Sequence, residues 1–233
     1  MNRVFQIHQT VGDIVAKLPK ASEIFKQYKI DFCCGGNRKL SEVVNEQKLD
    51  ASEILRKLND AMTESANLNE GVKSFTEMSR SELIEYIEGT HHVYLKKVLP
   101  ELGDFTTKIM RVHGLRSQEL FKVHKLFSVL RAELEQHLMK EEEVLFPLVR
   151  QYERNPDMQS LEKVKQVMKE TEDEHEAAGD ILKELRRITD DYRVPEHGCS
   201  TYALTYKMLE ELEADLFQHI HLENNILFIN LQA

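Results

Sequence analysis

Two stretches of this chain carry the same short motif: residues 136–147, QHLMKEEEVLFP, and residues 218–229, QHIHLENNILFI. Each places a glutamate four residues after a histidine and continues to Leu-Phe. Residues four apart lie on one face of an α-helix, one turn apart. Polar groups in an apolar helix need partners, so an imidazole and a carboxylate on one buried stripe indicate a shared ligand. The two pairs are His137 with Glu141 and His219 with Glu223.

Hydrophobic periodicity around these motifs predicts the fold. Apolar residues recur at three- and four-residue steps in four long stretches, without two-residue alternation. Connections shorter than about fifteen residues join these stretches, which favours an antiparallel four-helix bundle. The predicted bundle helices span residues 79–112, 118–152, 159–190 and 201–230.

The first part of the chain has a different organisation. Residues 1–62 contain shorter helical patterns broken by turns. Thr10 is the predicted N-cap of a short helix through Lys17, and the last of these patterns, 51–62, begins with Asp50 as its N-cap. DFCCGG, at residues 31–36, predicts a turn whose paired glycines allow positive φ. The polar, aperiodic stretch 63–76 predicts a linker. We therefore expect an all-α protein with a small helical domain at 1–62, a linker at 63–76 and the bundle at 77–233.

Composition and charge exclude several classes of function. The net charge is −9, from 31 basic and 40 acidic residues, which opposes binding to a nucleic-acid backbone. Apolar runs fall far short of the roughly 20 residues that span a bilayer, and the first residues lack the apolar core of a signal peptide. Three cysteines, two of them adjacent, do not form a disulfide framework. The sequence therefore predicts a cytoplasmic protein with neither nucleic-acid nor membrane partners.

The remaining two bundle helices add histidines, so that the four helices together predict a metal site. Imidazole with carboxylate is a ligand set of iron, manganese or zinc. Six ligands are too many for one tetrahedral zinc, but they suit two octahedral metals that share carboxylates, as in di-iron bundles. A single histidine on an amphipathic helix is more often a surface or hydrogen-bonded residue. That interpretation is given to His8, His113, His124, His197 and His221.

The first bundle helix offers two adjacent histidines as the ligand. A stripe through Leu83, Ile87 and Val98 centres on His91, whereas a stripe through Leu95 and Leu99 contains the next residue, His92. Periodicity slightly favours His91. The third helix offers His175, followed closely by small residues.

Adjacent cysteines at 33 and 34 leave two interpretations open. Useful zinc-binding spacings separate the cysteines by two or more residues, so Cys33 and Cys34 form a poor zinc clamp. One of them could be a small buried residue, or the pair could be a redox-active or transiently metal-binding thiol site on a small module. No role is assigned to Cys199.

Taken together, DFCCGG followed by NRKLSEV, HLMKEEEVLFP, DEHEAAG and HIHLENNILF resemble the bacterial iron-sulfur cluster repair proteins, the repair-of-iron-centres family. Members pair a short N-terminal CCGG domain with a hemerythrin-like di-iron bundle, and the resemblance covers nearly the whole chain. One departure is Ile229, where the family motif usually has proline. The resemblance implies one histidine from each helix and two bridging glutamates, and the spacing to Leu99 selects His92 over His91. The implied ligands are His92, His137, Glu141, His175, His219 and Glu223.

The resemblance also implies a function. Two non-haem, carboxylate-bridged iron ions would serve the repair of iron-sulfur clusters damaged by oxidative or nitrosative stress, through iron donation rather than enzymatic turnover. The alternatives are a di-iron nitric oxide reductase and a sensor that binds oxygen or nitric oxide. The expected partners are iron-sulfur proteins with damaged clusters, nitric oxide or oxygen, and a second copy of the chain. Cys33 and Cys34 are expected to act in redox chemistry or transfer.

Overall fold

The computed structural model of the chain describes residues 4–68 and 75–232. Within these residues, the one pairing of extended backbone is an isolated antiparallel bridge between Thr10 and Lys39, and helices form the rest of the regular structure. The predicted all-α class, a four-helix bundle preceded by a small helical domain, is confirmed. Contacts divide the chain into two compact units, one formed by Met1–Leu83 with Gln218–Ala233 and the other by Ile84–Phe217.

Short capped helices make up the N-terminal part of the first unit. Thr10 and Asp50 each accept a backbone N–H from the residue three positions on, at 3.1 and 3.2 Å, so both predicted N-caps are present. The fully buried side chains of Phe5, Phe25 and Phe32 lie in the interior of this unit. The helices are α1 Val11–Lys17, α2 Ala21–Gln27, α3 Leu40–Gln47 and α4 Ala51–Leu68.

One helix boundary differs from the sequence prediction. The helix predicted to end at residue 62 continues to Leu68, so the first six residues of the predicted linker are helical. Residues 63–68, TESANL, contain neither glycine nor proline, and polarity alone does not end a helix. A short 3₁₀ turn, Phe75–Glu77, precedes the bundle. The division into domains stays a prediction, and residues 69–74 of the linker lie outside the described residues.

The bundle helices match the four predicted stretches to within about two residues at most ends. Among the described residues, three of these helices are interrupted by a π-helical turn, in which the hydrogen bonds run from residue i to i+5. In the last of these turns, for example, the Phe228 N–H donates to the carbonyl oxygen of Glu223 at 2.8 Å. The helices in chain order are α5 Arg80–Ile87, π1 Glu88–His92 and α6 Val93–His113; α7 Glu119–Lys140, π2 Glu141–Leu145 and α8 Phe146–Arg154; α9 Met158–Ile188; and α10 Ser200–Leu222, π3 Glu223–Leu227 and α11 Ile229–Gln232.

Buried aliphatic and aromatic side chains from all four bundle helices form the core of the second unit. Burying one such side chain contributes roughly 1.5–3 kcal/mol. This apolar core fixes the helix positions, and therefore the faces on which polar side chains can meet. Its fully buried members include Leu99, Leu102, Phe127, Leu130, Leu185 and Leu212.

We expect Leu130→Ala to lower the free energy of unfolding by about 2–5 kcal/mol, because it leaves a cavity in this core. The neighbouring Val129 is 41% exposed, and Val129→Ala should change the free energy by less than about 0.5 kcal/mol. Urea denaturation followed by circular dichroism measures both. Equal effects of the two substitutions would contradict the described helix orientation.

Candidate metal centre

Glu141 lies at the centre of the polar side chains in the second unit. Its side chain is fully buried, and it begins π2. One carboxylate oxygen lies 3.3 Å from Nε2 of His137, and the other lies 3.4 Å from Nε2 of His92. A single carboxylate thus faces two imidazoles from different helices, one on each oxygen.

The π turn in the first bundle helix explains which of its adjacent histidines faces Glu141. Buried Leu83 and Ile87 precede π1, and regular α-periodicity from them leads to His91. A π turn holds one residue more than an α turn, so the stripe that contains Ile87 continues through His92. The Nδ1 atom of His91 instead lies 2.9 Å from the carboxylate of Asp215.

His175 meets His137 in the same buried region. Their Nε2 atoms lie 3.2 Å apart, and their rings pack edge to face with centroids 4.8 Å apart. Ala178 and Gly179, on the following turn of α9, are also buried. These small residues allow close helix packing beside the imidazoles.

Each of two histidines hydrogen bonds through its other ring nitrogen to a carboxylate that is also paired with a lysine. His137 Nδ1 lies 2.8 Å from Glu174, which accepts from Lys140 Nζ at 2.6 Å. The hydrogen bond from His137 is the largest cause that holds the pKa of Glu174 at about 2; Lys140 adds to this effect, and burial opposes it. Glu174 is therefore an ionised acceptor at neutral pH.

Glu142 plays the corresponding part for the first bundle helix. Its carboxylate lies 2.8 Å from His92 Nδ1 and accepts from Lys96 Nζ at 2.7 Å. Burial raises the pKa of Glu142, but the hydrogen bonds from Lys96 and His92 outweigh it, and the pKa lies below its usual value. In the sequence this residue belongs to a run of three glutamates, and its partners His92 and Lys96 lie 50 and 46 positions away, so no local pattern signals its role.

These outer hydrogen bonds fix the chemistry of the inner nitrogens. An ionised carboxylate accepts a hydrogen bond from Nδ1–H of His92 and of His137, which places the lone pair of each imidazole on Nε2, directed at Glu141. Two acceptors facing each other at 3.3–3.4 Å repel unless a cation or a proton lies between them. The donor set therefore fits a metal ion of the kind that imidazole and carboxylate bind.

The second copy of the motif has the same local geometry in the first unit. His219 and Glu223 are both buried, and His219 Nε2 lies 3.2 Å from a carboxylate oxygen of Glu223. Glu223 begins π3 as Glu141 begins π2. In both copies, therefore, the π turn starts at the glutamate.

Within the second unit, three buried side chains are arranged so that they could hold a metal ion. One ligand atom from each of His137, Glu141 and His175 lies within 4.8 Å of the others. In the same unit, His92 and Glu141 also offer ligand atoms within this distance, as do His219 and Glu223 in the first unit.

The paired cysteines are free thiols in the first unit. Their sulfur atoms lie 3.8 Å apart, well beyond the roughly 2 Å of a disulfide bond. Cys33 is buried and Cys34 half-buried. The exposed Cys199 lies elsewhere, with its sulfur 3.2 Å from Nε2 of His113.

Buried imidazoles and carboxylates inside a helical bundle define a cation-binding protein of the hemerythrin type. Residues 83–229 match the family model "Hemerythrin HHE cation binding domain", and residues 7–62 match the model "Domain of Unknown function (DUF542)". The first match covers well over half of the chain.

Similar full-length relatives narrow the class. The chain is 34% identical to "Iron-sulfur cluster repair protein ScdA" of Staphylococcus epidermidis over 94% of this chain and 95% of that protein. It is 34% identical to "Probable iron-sulfur cluster repair protein" of Haemophilus influenzae, with 94% and 95% covered, and 33% identical to "Iron-sulfur cluster repair protein YtfE" of Escherichia coli, with 94% of each covered. The chain belongs to this family of iron-sulfur cluster repair proteins, as the sequence motifs predicted.

In the described part of the chain, every helix is too short or too polar to cross a bilayer.

We expect Glu142→Ala to weaken the binding of ferrous iron about 10–100-fold, because His92 loses the acceptor that orients its ring. The neighbouring Glu143 is exposed, so Glu143→Ala is the matched control and should bind iron as the unsubstituted chain does. Anaerobic competition against a chromogenic ferrous chelator measures both. Equal affinities for the two variants would contradict an orienting role for Glu142.

Proposed function

We propose that the chain holds two iron ions and repairs iron-sulfur clusters by giving up ferrous iron. The observation that carries this proposal is Glu141, whose two carboxylate oxygens face imidazoles from different helices. A carboxylate in this arrangement suits a bridge between two metals. Glu223 holds the equivalent position in the second copy of the motif, at the start of a π turn beside its own histidine, and we assign it the second bridge. The proposed ligands are His92, His137, Glu141, His175, His219 and Glu223.

Electrostatics supports the bridging roles. Two iron cations a few ångströms apart repel strongly where the effective dielectric is far below that of water. A carboxylate between them relieves this repulsion at both metals, whereas a neutral terminal imidazole acts on one. Glu141 and Glu223 therefore contribute more to holding the pair than any single histidine does.

The charge of the proposed ligand set also supports donation of iron. Ferritin-like bundles that hold di-iron sites contribute about four carboxylates to the two metals. In the set proposed for this chain, two carboxylates accompany four imidazoles. The outer glutamates add little net charge, because Lys96 and Lys140 pair with them. Two ferrous ions would keep uncompensated positive charge in this set, which favours their release to a stronger acceptor.

The relatives' names indicate the recipient. We propose that the clients are iron-sulfur proteins whose clusters have lost iron through oxidative or nitrosative damage, and that the chain acts in the cytoplasm, where such clients work. Nitric oxide or oxygen would be a small ligand of the same site. The homodimer and the transfer roles of Cys33 and Cys34 stay predictions.

We expect Glu141→Leu and Glu223→Leu each to loosen both iron ions, whereas His175→Leu should mainly loosen one. The measurements are the iron retained after dialysis against a chelator and the magnetic coupling seen in Mössbauer spectra. The unsubstituted chain should hold two coupled irons. A Glu141 variant that still holds two coupled irons would remove the bridge from the proposal.

Transfer itself can be followed with an isotope. We expect the chain loaded with ferrous ⁵⁷Fe, in the presence of a thiol reductant that supplies the one electron needed to rebuild each cluster, to pass the label into a [4Fe–4S] dehydratase that peroxide has damaged, with recovery of dehydratase activity in the same period. The His175→Leu variant serves as the comparison at equal iron concentration. If nitric oxide is instead turned over to nitrous oxide and no label reaches the recipient, the protein is a nitric oxide reductase and the donation proposal is wrong.

A further inference from the structure

The segment HIHLENNILF contains a second pair of polar residues four apart, His221 and Asn225, offset by two positions from His219 and Glu223. An offset of two turns a side chain to a different face of the helix. Metal binding therefore leaves this pair unexplained. In the structure, both residues contact the DFCCGG loop at residues 31–36.

Hydrogen bonds attach the loop to this pair through its backbone. The Asn225 amide donates to the carbonyl oxygen of Cys33 at 3.0 Å and to that of Phe32 at 3.4 Å. His221 Nδ1 donates to the same Phe32 oxygen at 3.3 Å. The His221 ring also packs edge to face with the Phe32 ring, with centroids 5.9 Å apart. Backbone contacts of this kind recognise the path of the loop rather than its side chains.

Two glycines make room for the Asn225 side chain. A Cβ atom at Gly36 would collide with the amide of Asn225, and one at Gly12 would lie 2.6 Å from its Oδ1 atom. The Gly12 N–H also donates to the Gly36 carbonyl at 2.7 Å. The predicted reason for the loop glycines is therefore wrong: Gly35 and Gly36 do not adopt positive φ. Glycine is required at both positions because other parts of the chain approach closely. Asn225 lies against Gly36, and the Asp31 backbone lies against Gly35.

Inside the loop, Asp31 holds the cysteines in place. One of its carboxylate oxygens accepts the backbone N–H groups of Cys33, Cys34 and Gly35 at 3.1–3.2 Å. The Cys34 sulfur and burial both raise the pKa of the Cys33 thiol well above its usual range. While the loop is docked, Cys33 is therefore protonated and shielded, and a thiol in that state reacts slowly.

Docking and metal binding share one short element. Glu223 begins π3, and Asn225 lies two residues further along the same turn. A π turn can relax to the α-helical register, which displaces the following residues by one position, or about 100° of rotation. Such a rotation would carry the Asn225 amide away from the loop carbonyls. A metal bond to Glu223 would oppose that relaxation.

We infer that iron occupancy and docking of the cysteine loop are linked through π3, with Asn225 as the positioning residue. This inference rests on the proposed function, because it takes Glu223 as an iron ligand. Iron stabilises the turn that holds the loop, and the docked loop stabilises the turn that holds iron. Linkage is reciprocal, so each partner changes the affinity of the other by the same factor. Departure of iron therefore releases Cys33 as an accessible thiol.

The experiment uses the full chain with Cys34→Ser and Cys199→Ser, which leaves Cys33 as the one remaining cysteine. Anaerobic alkylation of Cys33 by iodoacetamide is followed by mass spectrometry with and without iron. We expect Cys33 to be alkylated about 5–150-fold faster in the iron-free chain than in the iron-bound chain, which is the factor that typical coupling energies give. When Asn225→Leu is added to this variant, Cys33 should be alkylated quickly both with and without iron. The same variant should lose iron to a chelator faster than its parent, by a similar factor.

A second variant tests the linkage from the loop side, without a change in π3. Gly36→Ala displaces the loop from Asn225, and it should reproduce both the fast alkylation and the faster iron loss. Asn230→Ala is the matched control, because Asn230 is exposed and contacts Arg80 through its backbone carbonyl; it should behave as the parent.

The outcomes separate the two proposals. A parent chain that binds fewer than two irons overturns the proposed function and the linkage with it. A parent chain that binds two irons but alkylates at the same rate in both states overturns the linkage alone. The linkage alone is also overturned if the Gly36→Ala variant alkylates quickly, which shows that its loop is displaced, but loses iron at the same rate as the parent.

Discussion

The structure depends on two carboxylates in its interior, Glu141 and Glu223, neither of which is exposed to solvent. An ionised carboxylate moved from water to a protein interior loses several kcal/mol of hydration, even after the protein relaxes around it. Hydrophobic packing of the bundle does not compensate this loss at the carboxylate itself. A cation bound by each carboxylate and its neighbouring imidazole would compensate it, so the proposed metals would belong to the energetics of folding as well as to function.

Much of the architecture followed from the sequence because it depends on local pattern. The four bundle helices, the N-caps at Thr10 and Asp50 and the repeated His-x-x-x-Glu motif all arise from residue spacings of three or four. The choice between His91 and His92 did not follow from this pattern. Periodicity assumes an unbroken α-helix, and π1 adds one residue just before the two histidines. The family resemblance selects His92, the residue that faces Glu141 in the structure, because it aligns residues directly and assumes no helical geometry.

Other features were hidden because their partners are distant in sequence. In the sequence, Glu142 and Glu174 are members of charged runs, and only the folded chain brings them to His92 and His137. The role of Asn225 depends on glycines about two hundred positions away in the chain, so no local rule would have found it. The extension of α4 to Leu68 has a simpler explanation, because a polar segment without glycine or proline can remain helical.

The π turns have a consequence for anyone who would transplant this site. A regular helical bundle given histidine and glutamate at the same spacing would place each side chain correctly within its own helix. It would still lack the extra residue that each π turn supplies at Glu88–His92, Glu141–Leu145 and Glu223–Leu227, and every residue beyond would be out of phase with the core. The transferable unit is a ligand together with its inserted residue, and a single-residue deletion in any of these turns would undo that unit while leaving the helix intact.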